Sequence, residues 1–373
     1  MGRTLAILLI FFGLAACEPR GEIVVAPEAA RANAVETVFI GTTRGVDPEN
    51  GNAFSGARNQ STRFARLDIA IPPDRSPGEI RWTPPGRAPD PRTEFLTTRE
   101  EIYSGAPGFR ADLARALSRE RRGTREVVVF VHGFNTTFAE GAYRLAQLGH
   151  DLDIGGVLVH YSWPSLGHPL GYAYDRDSAL FARDGLESVL DQVVAAGAER
   201  VLILAHSMGS ALTMETLRQL AISRNARVQR RIAGVVLISP DIDVDVFRAE
   251  AMRIGTLPQP FLIFTSKKDR VLALSARLSG QRDRLGNLTD VAEVADLKVT
   301  LLDTTAFSTG IGHFNAGNSP ALLAILGGIA DVDAALAASQ IGRTGLLPGA
   351  VLTVQSATQI VLSPVTAISG ISP

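Results

Sequence analysis

The strongest structural signal in the chain lies at residues 201–210, which read Val201-Leu202-Ile203-Leu204-Ala205-His206-Ser207-Met208-Gly209-Ser210. A continuous apolar run, typical of a buried strand, leads directly into Ser207 and then into a helical pattern. A sharp strand-to-helix turn at a serine lifts its hydroxyl above the edge of a parallel sheet, where it can act as a nucleophile. The same turn aims the backbone N–H of Met208 at the site, where it can stabilise an oxyanion. The alternative is a serine that caps an ordinary helix, which is a common role.

A second motif, His132-Gly133-Phe134-Asn135, follows directly on the β-branched run Val127–Val131. In α/β-hydrolases the loop after this strand supplies the other N–H group of the oxyanion hole, and we assign that donor to Phe134. Gly133 allows the backbone to come close to a substrate. His132 itself is expected to hydrogen-bond the loop, because the catalytic base of this fold comes later in the chain.

Short apolar runs alternate with amphipathic helical stretches from about residue 124 onward. Strands are predicted at 38–40, 64–71, 127–131, 156–161, 201–204, 233–238, 261–264 and 299–302, and helices at 138–148, 182–193, 211–221, 244–254 and 319–338. This alternation predicts an α/β-hydrolase fold, with a mainly parallel central sheet flanked by helices on both faces. The first two strands are expected to form an antiparallel edge.

The order serine, acid, histidine along the chain gives a test of this fold. His313 is the only histidine after Ser207, and it lies in a glycine-rich stretch beyond the last predicted strand. His313 is therefore the expected general base, and the alternative is an ordinary surface histidine. His206, next to the serine, is not expected to be a base.

The acid has three candidates in the sequence. Asp269 follows the predicted strand at 261–264 and is the leading one, although it could also cap the next helix. Asp241 and Asp243 follow the preceding strand, where some hydrolases of this fold carry their acid. With Ser207 and His313, any of them would complete a serine hydrolase that works through an acyl-enzyme.

The chain resembles a bacterial family of uncharacterised esterase/lipase-like α/β-hydrolases, many of them lipoproteins. The resemblance covers roughly residues 36–327 and rests on Val38–Arg44, Val131–Asn135, Tyr161–Ser165, Tyr174–Ser178, the Ser207 turn and Ser239–Asp243. Ala205 departs from the usual serine motif, which has glycine there. The resemblance implies a serine hydrolase, and a carboxylesterase is the leading expectation. A thioesterase, amidase or transacylase on the same triad is one alternative, and a binding lipoprotein without catalysis is another.

Three further features concern the surroundings of the site. Trp163 follows a predicted strand and could line the substrate pocket, or it could be a core or rim aromatic. Asp175 is expected to order its loop or to cap the following helix. Only about 20 residues separate the strands at 233–238 and 261–264, so a lid should be small or absent. An open site of this kind suits short or soluble acyl esters.

The N-terminal residues have a pattern typical of a targeting segment. A 12-residue apolar run, Leu5–Ala16, is too short to span a bilayer and ends at Cys17, the only cysteine of the chain. We expect a lipoprotein signal peptide at 1–16, lipidation of Cys17, and a tether at 17–35 that links the lipid to the domain. Glu18 favours the bacterial outer membrane, with the protein facing the periplasm. An ordinary secretory signal is the alternative.

Composition limits the remaining possibilities. The chain has 37 basic and 38 acidic residues, and no basic run long enough to indicate a nucleic-acid partner. No ligand spacing or glycine pattern predicts a metal or an organic cofactor. The expected partners are therefore a small ester or acyl substrate and a membrane. We place the hydrolase domain at 36–340, with a C-terminal extension at 341–373 that is either a peripheral hairpin or a loosely packed tail.

Overall fold

The computed structural model describes residues 20–46, 54–278, 280, 284–288, 290–308, 313, 317, 319–320, 323 and 349–362. These residues form one sheet of eleven strands with helices against both faces. The strands are β1 (Ala34–Val46), β2 (Phe54–Ile71), β3 (Leu96–Tyr103), β4 (Glu126–Val131), β5 (Val157–Ser162), β6 (Arg200–His206), β7 (Ile232–Ile238), β8 (Phe261–Thr265), β9 (Thr300–Asp303), β10 (Gly349–Val354) and β11 (Ala357–Leu362).

The α-helices occupy the connections between these strands, which is the pattern that the sequence predicts. They are α1 (Ala106–Leu117), α2 (Phe138–Asp151), α3 (Tyr172–Phe181), α4 (Arg183–Ala195), α5 (Met208–Ser223), α6 (Ala226–Gln229), α7 (Val244–Ile254) and α8 (Arg270–Leu278). The predicted helix at 319–338 lies outside the described residues except for positions 319, 320 and 323.

The strand order is β10-β11-β9-β8-β7-β6-β4-β5-β1-β2-β3. The eight strands from β11 to β1 pair in parallel, which confirms the mainly parallel sheet. Strand β1 pairs antiparallel with β2, as expected, but it also pairs in parallel with β5. The antiparallel edge therefore consists of β2 and β3.

The core has two apolar layers, one on each face of the sheet. In β4, Val127, Val129 and Val131 face one layer, whereas Val128 and Phe130 face the other. Burial of both faces explains why this strand is continuously apolar instead of alternating. The carboxyl ends of the parallel strands meet at one edge of the sheet, where ligands bind in open α/β folds.

The predicted tether at 17–35 is wrong for its described part, because residues 20–33 pack on the domain. The N–H of Thr97 donates to the Val24 carbonyl at 2.9 Å, and the N–H of Ala26 donates to the Thr97 carbonyl at 2.8 Å. Ala26 and Ala29 are buried. The open edge of β3 offers backbone groups that this segment satisfies, so it becomes part of the fold. The expected signal peptide and Cys17 lie outside the described residues.

The boundary predicted at residue 340 is also too early. Strands β10 and β11 form a hairpin within the expected C-terminal extension, and β11 pairs in parallel with β9. Ala357, Ile360 and Leu362 are fully buried. Of the two possibilities for the extension, the hairpin is therefore the one seen, and it is integral to the sheet.

The segment between β7 and β8 contains a single α-helix of eleven residues, α7. It leaves no room for a large lid, as the sequence predicts. Within the described parts of the chain, no helix is both long and apolar enough to cross a membrane.

We predict that Ile360→Ala lowers the free energy of unfolding by about 2–5 kcal/mol, because it leaves a cavity where a large side chain is fully buried. Leu352→Ala in the same hairpin is the matched control, since Leu352 is 53% exposed and should change stability by less than about 0.5 kcal/mol. Urea denaturation measures both. Equal stability of the two variants would show that the hairpin is not part of the folding unit.

Candidate active site

Ser207 occupies a strained turn between β6 and α5. Its backbone has φ 52° and ψ −121°, a conformation that residues other than glycine rarely adopt. The Ser207 N–H donates to the Ile238 carbonyl at 2.9 Å, and the Ser207 carbonyl accepts from the Asp241 N–H at 3.2 Å. Both bonds hold the turn against the end of β7 and the loop after it, so the surrounding structure maintains the strain.

Gly209 lets the N-terminus of α5 lie against the end of β4. A Cβ atom at this position would stand 2.2 Å from the His132 carbonyl oxygen and 2.6 Å from that of Val131. No side chain fits at those distances. The glycine is therefore required for the close helix-to-strand approach that sets the position of Ser207.

The loop after β4 passes directly beside the serine. A Cβ atom on Gly133 would stand 3.0 Å from the Cβ of Ser207 and 2.6 Å from Nδ1 of His206. Phe134 follows, and its ring makes an edge contact with Tyr172 at a centroid distance of 5.4 Å. Of the two predicted donors, Met208 directly follows Ser207 as the first residue of α5, and Phe134 follows Gly133 on the adjacent loop.

A buried arginine on β1, Arg44, binds both this loop and the loop after β5. Its guanidinium donates to the carbonyl oxygens of Thr136 and Ser165, both at 2.8 Å, and to the Ser162 hydroxyl at 2.9 Å. Burial lowers the pKa of Arg44 to about 10, so the group still carries its charge at neutral pH. Sequence reasoning missed this residue, although a charge next to the apolar run of β1 was a usable signal.

Asp175, within α3, binds the same two loops. Its carboxylate accepts from the Asn135 N–H at 3.1 Å, the Ser165 hydroxyl at 2.6 Å and the Leu166 N–H at 2.7 Å. Asn135 has a positive φ of 56°, a conformation that this hydrogen bond helps to fix. Of the two predicted roles, Asp175 orders the loop and does not cap a helix.

Asp269 and His313 meet at the carboxyl end of β8. Nδ1 of His313 lies 2.8 Å from Oδ2 of Asp269, and because a carboxylate can only accept, Nδ1 carries the proton. The other oxygen of Asp269 accepts from the Leu272 N–H at 3.0 Å. Asp269 therefore also caps the start of α8, which was the alternative role considered for it. The imidazole of His313 lies 4.8 Å from that of His206, measured between ring centroids.

The other two acid candidates have different partners. Asp241 accepts from the Tyr172 hydroxyl at 2.9 Å and from the Ser275 hydroxyl at 2.6 Å, and it forms an ion pair with Arg284. Asp243 caps α7 by accepting from the Val246 N–H. Among the described contacts of these three aspartates, only those of Asp269 include His313.

Of the two histidines beside the site, His132 is buried and His206 is partly buried, and both rings are neutral. Burial, followed by the neighbouring charge of Arg44, holds the pKa of His132 well below its usual value. Burial and the nearby His313 do the same to the pKa of His206. A ring that stays neutral adds no positive charge next to Ser207.

Trp163 does not line a substrate pocket. It is fully buried, stacks on His132 at a centroid distance of 4.7 Å and donates through its indole N–H to the His132 carbonyl at 2.7 Å. The core role considered for it is therefore the correct one. The ring fixes the start of the loop that carries Gly133.

Two cavities flank Ser207. One has a volume of about 320 Å³ and opens beside Gly133 and His206, with Trp82 and Arg144 in its walls. The other, of about 180 Å³, begins at Met208 and runs along α5 to a buried carboxyl, Glu250. Burial and the adjacent carboxyl of Glu215 raise the pKa of Glu250 to about 8, so this wall carries a neutral acid at neutral pH.

Residues 108–328 match the family model described as "Alpha/beta hydrolase of unknown function (DUF900)", which covers more than half of the chain. The chain belongs to this family. The α/β-hydrolase fold and the resemblance predicted from the motifs are both confirmed. No curated protein matches the sequence.

Several solved structures are similar to this α/β-hydrolase at low identity. A cutinase-like protein from Cryptococcus sp. is 11% identical, with 59% of this chain and 97% of that chain covered and a TM-score of 0.31. The esterase Pf2001 of Pyrococcus furiosus is 12% identical over 77% of this chain and 89% of its own, with a TM-score of 0.33. The esterase Est22 is 11% identical, with 90% of this chain and 75% of that chain covered and a TM-score of 0.32. Such values say nothing about the activity of this chain.

We predict that Gly209→Ala lowers the free energy of unfolding by roughly 1–3 kcal/mol, because its methyl group would overlap a backbone carbonyl of β4. The matched control is Gly155→Ala, where no atom lies within 4 Å of the new Cβ and stability should not fall. Thermal denaturation of both variants tests this. If Gly209→Ala and Gly155→Ala have the same melting temperature, the close approach of α5 to β4 is not what positions Ser207.

Proposed function

We propose that this α/β-hydrolase is a serine hydrolase that cleaves carboxylic esters, with Ser207 as nucleophile, His313 as base and Asp269 as acid. The observation that carries the proposal is the 2.8 Å contact between Asp269 and His313, at the sheet edge that also holds the strained Ser207. A carboxylate on Nδ1 leaves Nε2 of the imidazole as the proton acceptor for a serine hydroxyl.

In the acylation step, the Ser207 oxygen attacks the ester carbonyl carbon and passes its proton to His313. Asp269 stabilises the imidazolium that results. The N–H groups of Phe134 and Met208 stabilise the oxyanion, each by an estimated ~3 kcal/mol. When the tetrahedral intermediate collapses, the C–O bond to the alcohol breaks, and His313 gives its proton to the departing alcohol.

In the deacylation step, water attacks the acyl-enzyme while His313 again removes a proton. The bond between the acyl carbon and the Ser207 oxygen then breaks, and the proton returns from His313 to the serine. The products are a carboxylic acid and an alcohol, and the side chains return to their starting protonation states.

We predict that Asp269→Asn lowers kcat for p-nitrophenyl butyrate by about 10⁴-fold, because asparagine favours the wrong imidazole tautomer. Asparagine still caps a helix, so the melting temperature should change little. Asp290→Asn is the matched control, since Asp290 also caps a helix, by accepting from the Ala292 N–H, and none of its described contacts involves His313, so kcat should not change. Equal activity of the two variants would exclude Asp269 as the acid.

We also propose that Cys17 carries the lipid of a bacterial lipoprotein and that the protein faces the periplasm from the outer membrane. The apolar run before Cys17 and the lack of any other cysteine support this. More than one acyl chain at that residue would give durable membrane attachment.

We predict that palmitate labels the wild-type protein in bacterial cells and that Cys17→Ala removes the label. The variant should also leave the membrane fraction when cells are lysed, because its only attachment is lost. Ser207→Ala should be labelled as strongly as wild type and serves as the control. Palmitate label retained in Cys17→Ala would rule out this attachment point.

A further inference from the structure

The segment that leads to Cys17 is pinned to the rim of the candidate active site. The guanidinium of Arg20 donates to the side-chain and backbone oxygens of Asn135, both at 2.8 Å, and forms an ion pair with Glu140 at 2.5 Å. Asn135 is the residue after Phe134, the proposed oxyanion donor. The described chain therefore begins on the loop that lies beside Ser207.

The next residue extends the same attachment. The Gly21 N–H donates to Glu140 at 3.4 Å, and the Gly21 carbonyl accepts from the Thr137 hydroxyl at 3.4 Å. A Cβ atom on Gly21 would stand 2.4 Å from the ring of Trp82, so the backbone lies flat against that side chain. The attachment thus involves several contacts with α2 and the loop before it.

The covalent distance from this point to Cys17 is short. Three residue steps separate Cys17 from Arg20, and an extended chain spans at most about 11 Å over that length. The Asn135 loop, which the Arg20 side chain contacts, is then held near a bilayer that carries the lipid of Cys17. The bound on the Cα–Cα distance places Arg20 within about 11 Å of the lipidated residue. This bound follows from bond lengths alone and holds for any path of the chain.

Exposed leucines lie next to the same point. Leu166 and Leu170 belong to the loop between β5 and α3 and are 48% and 88% exposed. Gly167 of this loop is in contact range of Arg20, since its Cβ would stand 3.7 Å from a guanidinium nitrogen. Large apolar side chains near a lipid attachment site lower the free energy of membrane binding when they enter the acyl boundary of the membrane.

The charge at this rim does not oppose such an approach. Arg20 and Glu140 neutralise each other, and Asp175 is fully buried behind the loop. The segment between β7 and β8 carries no large lid that would keep a membrane away from the site.

We infer that the sheet edge carrying Ser207 faces the bilayer, with Leu166 and Leu170 in the lipid interface, so that the substrate is an ester presented at a membrane surface. This inference rests on the proposed lipidation of Cys17. It adds an orientation and a substrate source to the proposed ester hydrolysis, and it replaces the soluble esters expected from the open site: the acyl ester reaches Ser207 from the membrane side of the protein.

The test uses the lipidated protein in vesicles of phosphatidylethanolamine and phosphatidylglycerol. Leu170→Cys introduces a thiol that an environment-sensitive fluorophore can label, since the one natural cysteine is blocked by lipid. Ile222→Cys is the matched control: this residue is 46% exposed and apolar, but it lies near the far end of α5, about 20 Å from the Ser207 turn along the helix. Nitroxide-labelled lipids then report which fluorophore touches the bilayer.

We predict strong quenching of the label at position 170 and almost none at 222. A second measurement compares rates on an ester embedded in the vesicles and on a soluble ester. Leu170→Asp should lower the ratio of these rates by roughly tenfold, the equivalent of one leucine withdrawn from lipid, and Ile222→Asp should leave the ratio unchanged.

The outcomes separate this inference from the proposals under it. Equal quenching at 170 and 222 on vesicle-bound protein would overturn the orientation and leave the lipoprotein and the esterase standing. Failure of the wild-type protein to stay on vesicles would contradict the lipidation of Cys17 and, with it, the orientation that rests on it. Quenching at 170 in a protein without esterase activity would support the orientation but count against the serine hydrolase and its membrane-borne ester substrate.

Discussion

The backbone contact between the start of α5 and the end of β4 is the constraint on which the site depends. Gly209 lies against the carbonyl oxygens of Val131, the last residue of β4, and of His132, the residue after it, and Gly133 lies against Ser207. These approaches leave space for hydrogen atoms only. They place the strained Ser207 turn directly beside the loop that follows β4, which is the arrangement on which the proposed acyl transfer depends. A helix held farther from the strand would leave the same residues without a common site.

Buried charges fix two loops beside the site, the one after β4 and the one after β5. Arg44 and Asp175 come from opposite sides, and between them they bind the backbone of residues 135, 136, 165 and 166. Hydrogen bonds to charged groups are roughly twice as strong as those between neutral groups, so they suit this purpose.

The sequence predicts the parts of this protein that local rules determine. The boundaries of β4, β6 and α7 follow from apolar runs and periodicity, and Ser207, Asp269 and His313 follow from their positions after particular strands. The parts that it does not predict depend on contacts distant in the chain. Residues 20–33 look like a free tether until the open edge of β3 is known. The sequence leaves β10 and β11 as either a peripheral hairpin or a loose tail, and the pairing of β11 with β9 decides between them. Trp163 could not be assigned because stacking on His132 is a tertiary contact, and the same holds for the bonds of Arg44.

The central claim is that Ser207 is the nucleophile of this α/β-hydrolase. The most direct test is reaction of the purified protein with a fluorophosphonate, followed by peptide mass spectrometry to locate the adduct. The account predicts one phosphonylated residue, Ser207, and no adduct in Ser207→Ala. An adduct on another residue, or no adduct on a folded wild-type protein, would contradict it.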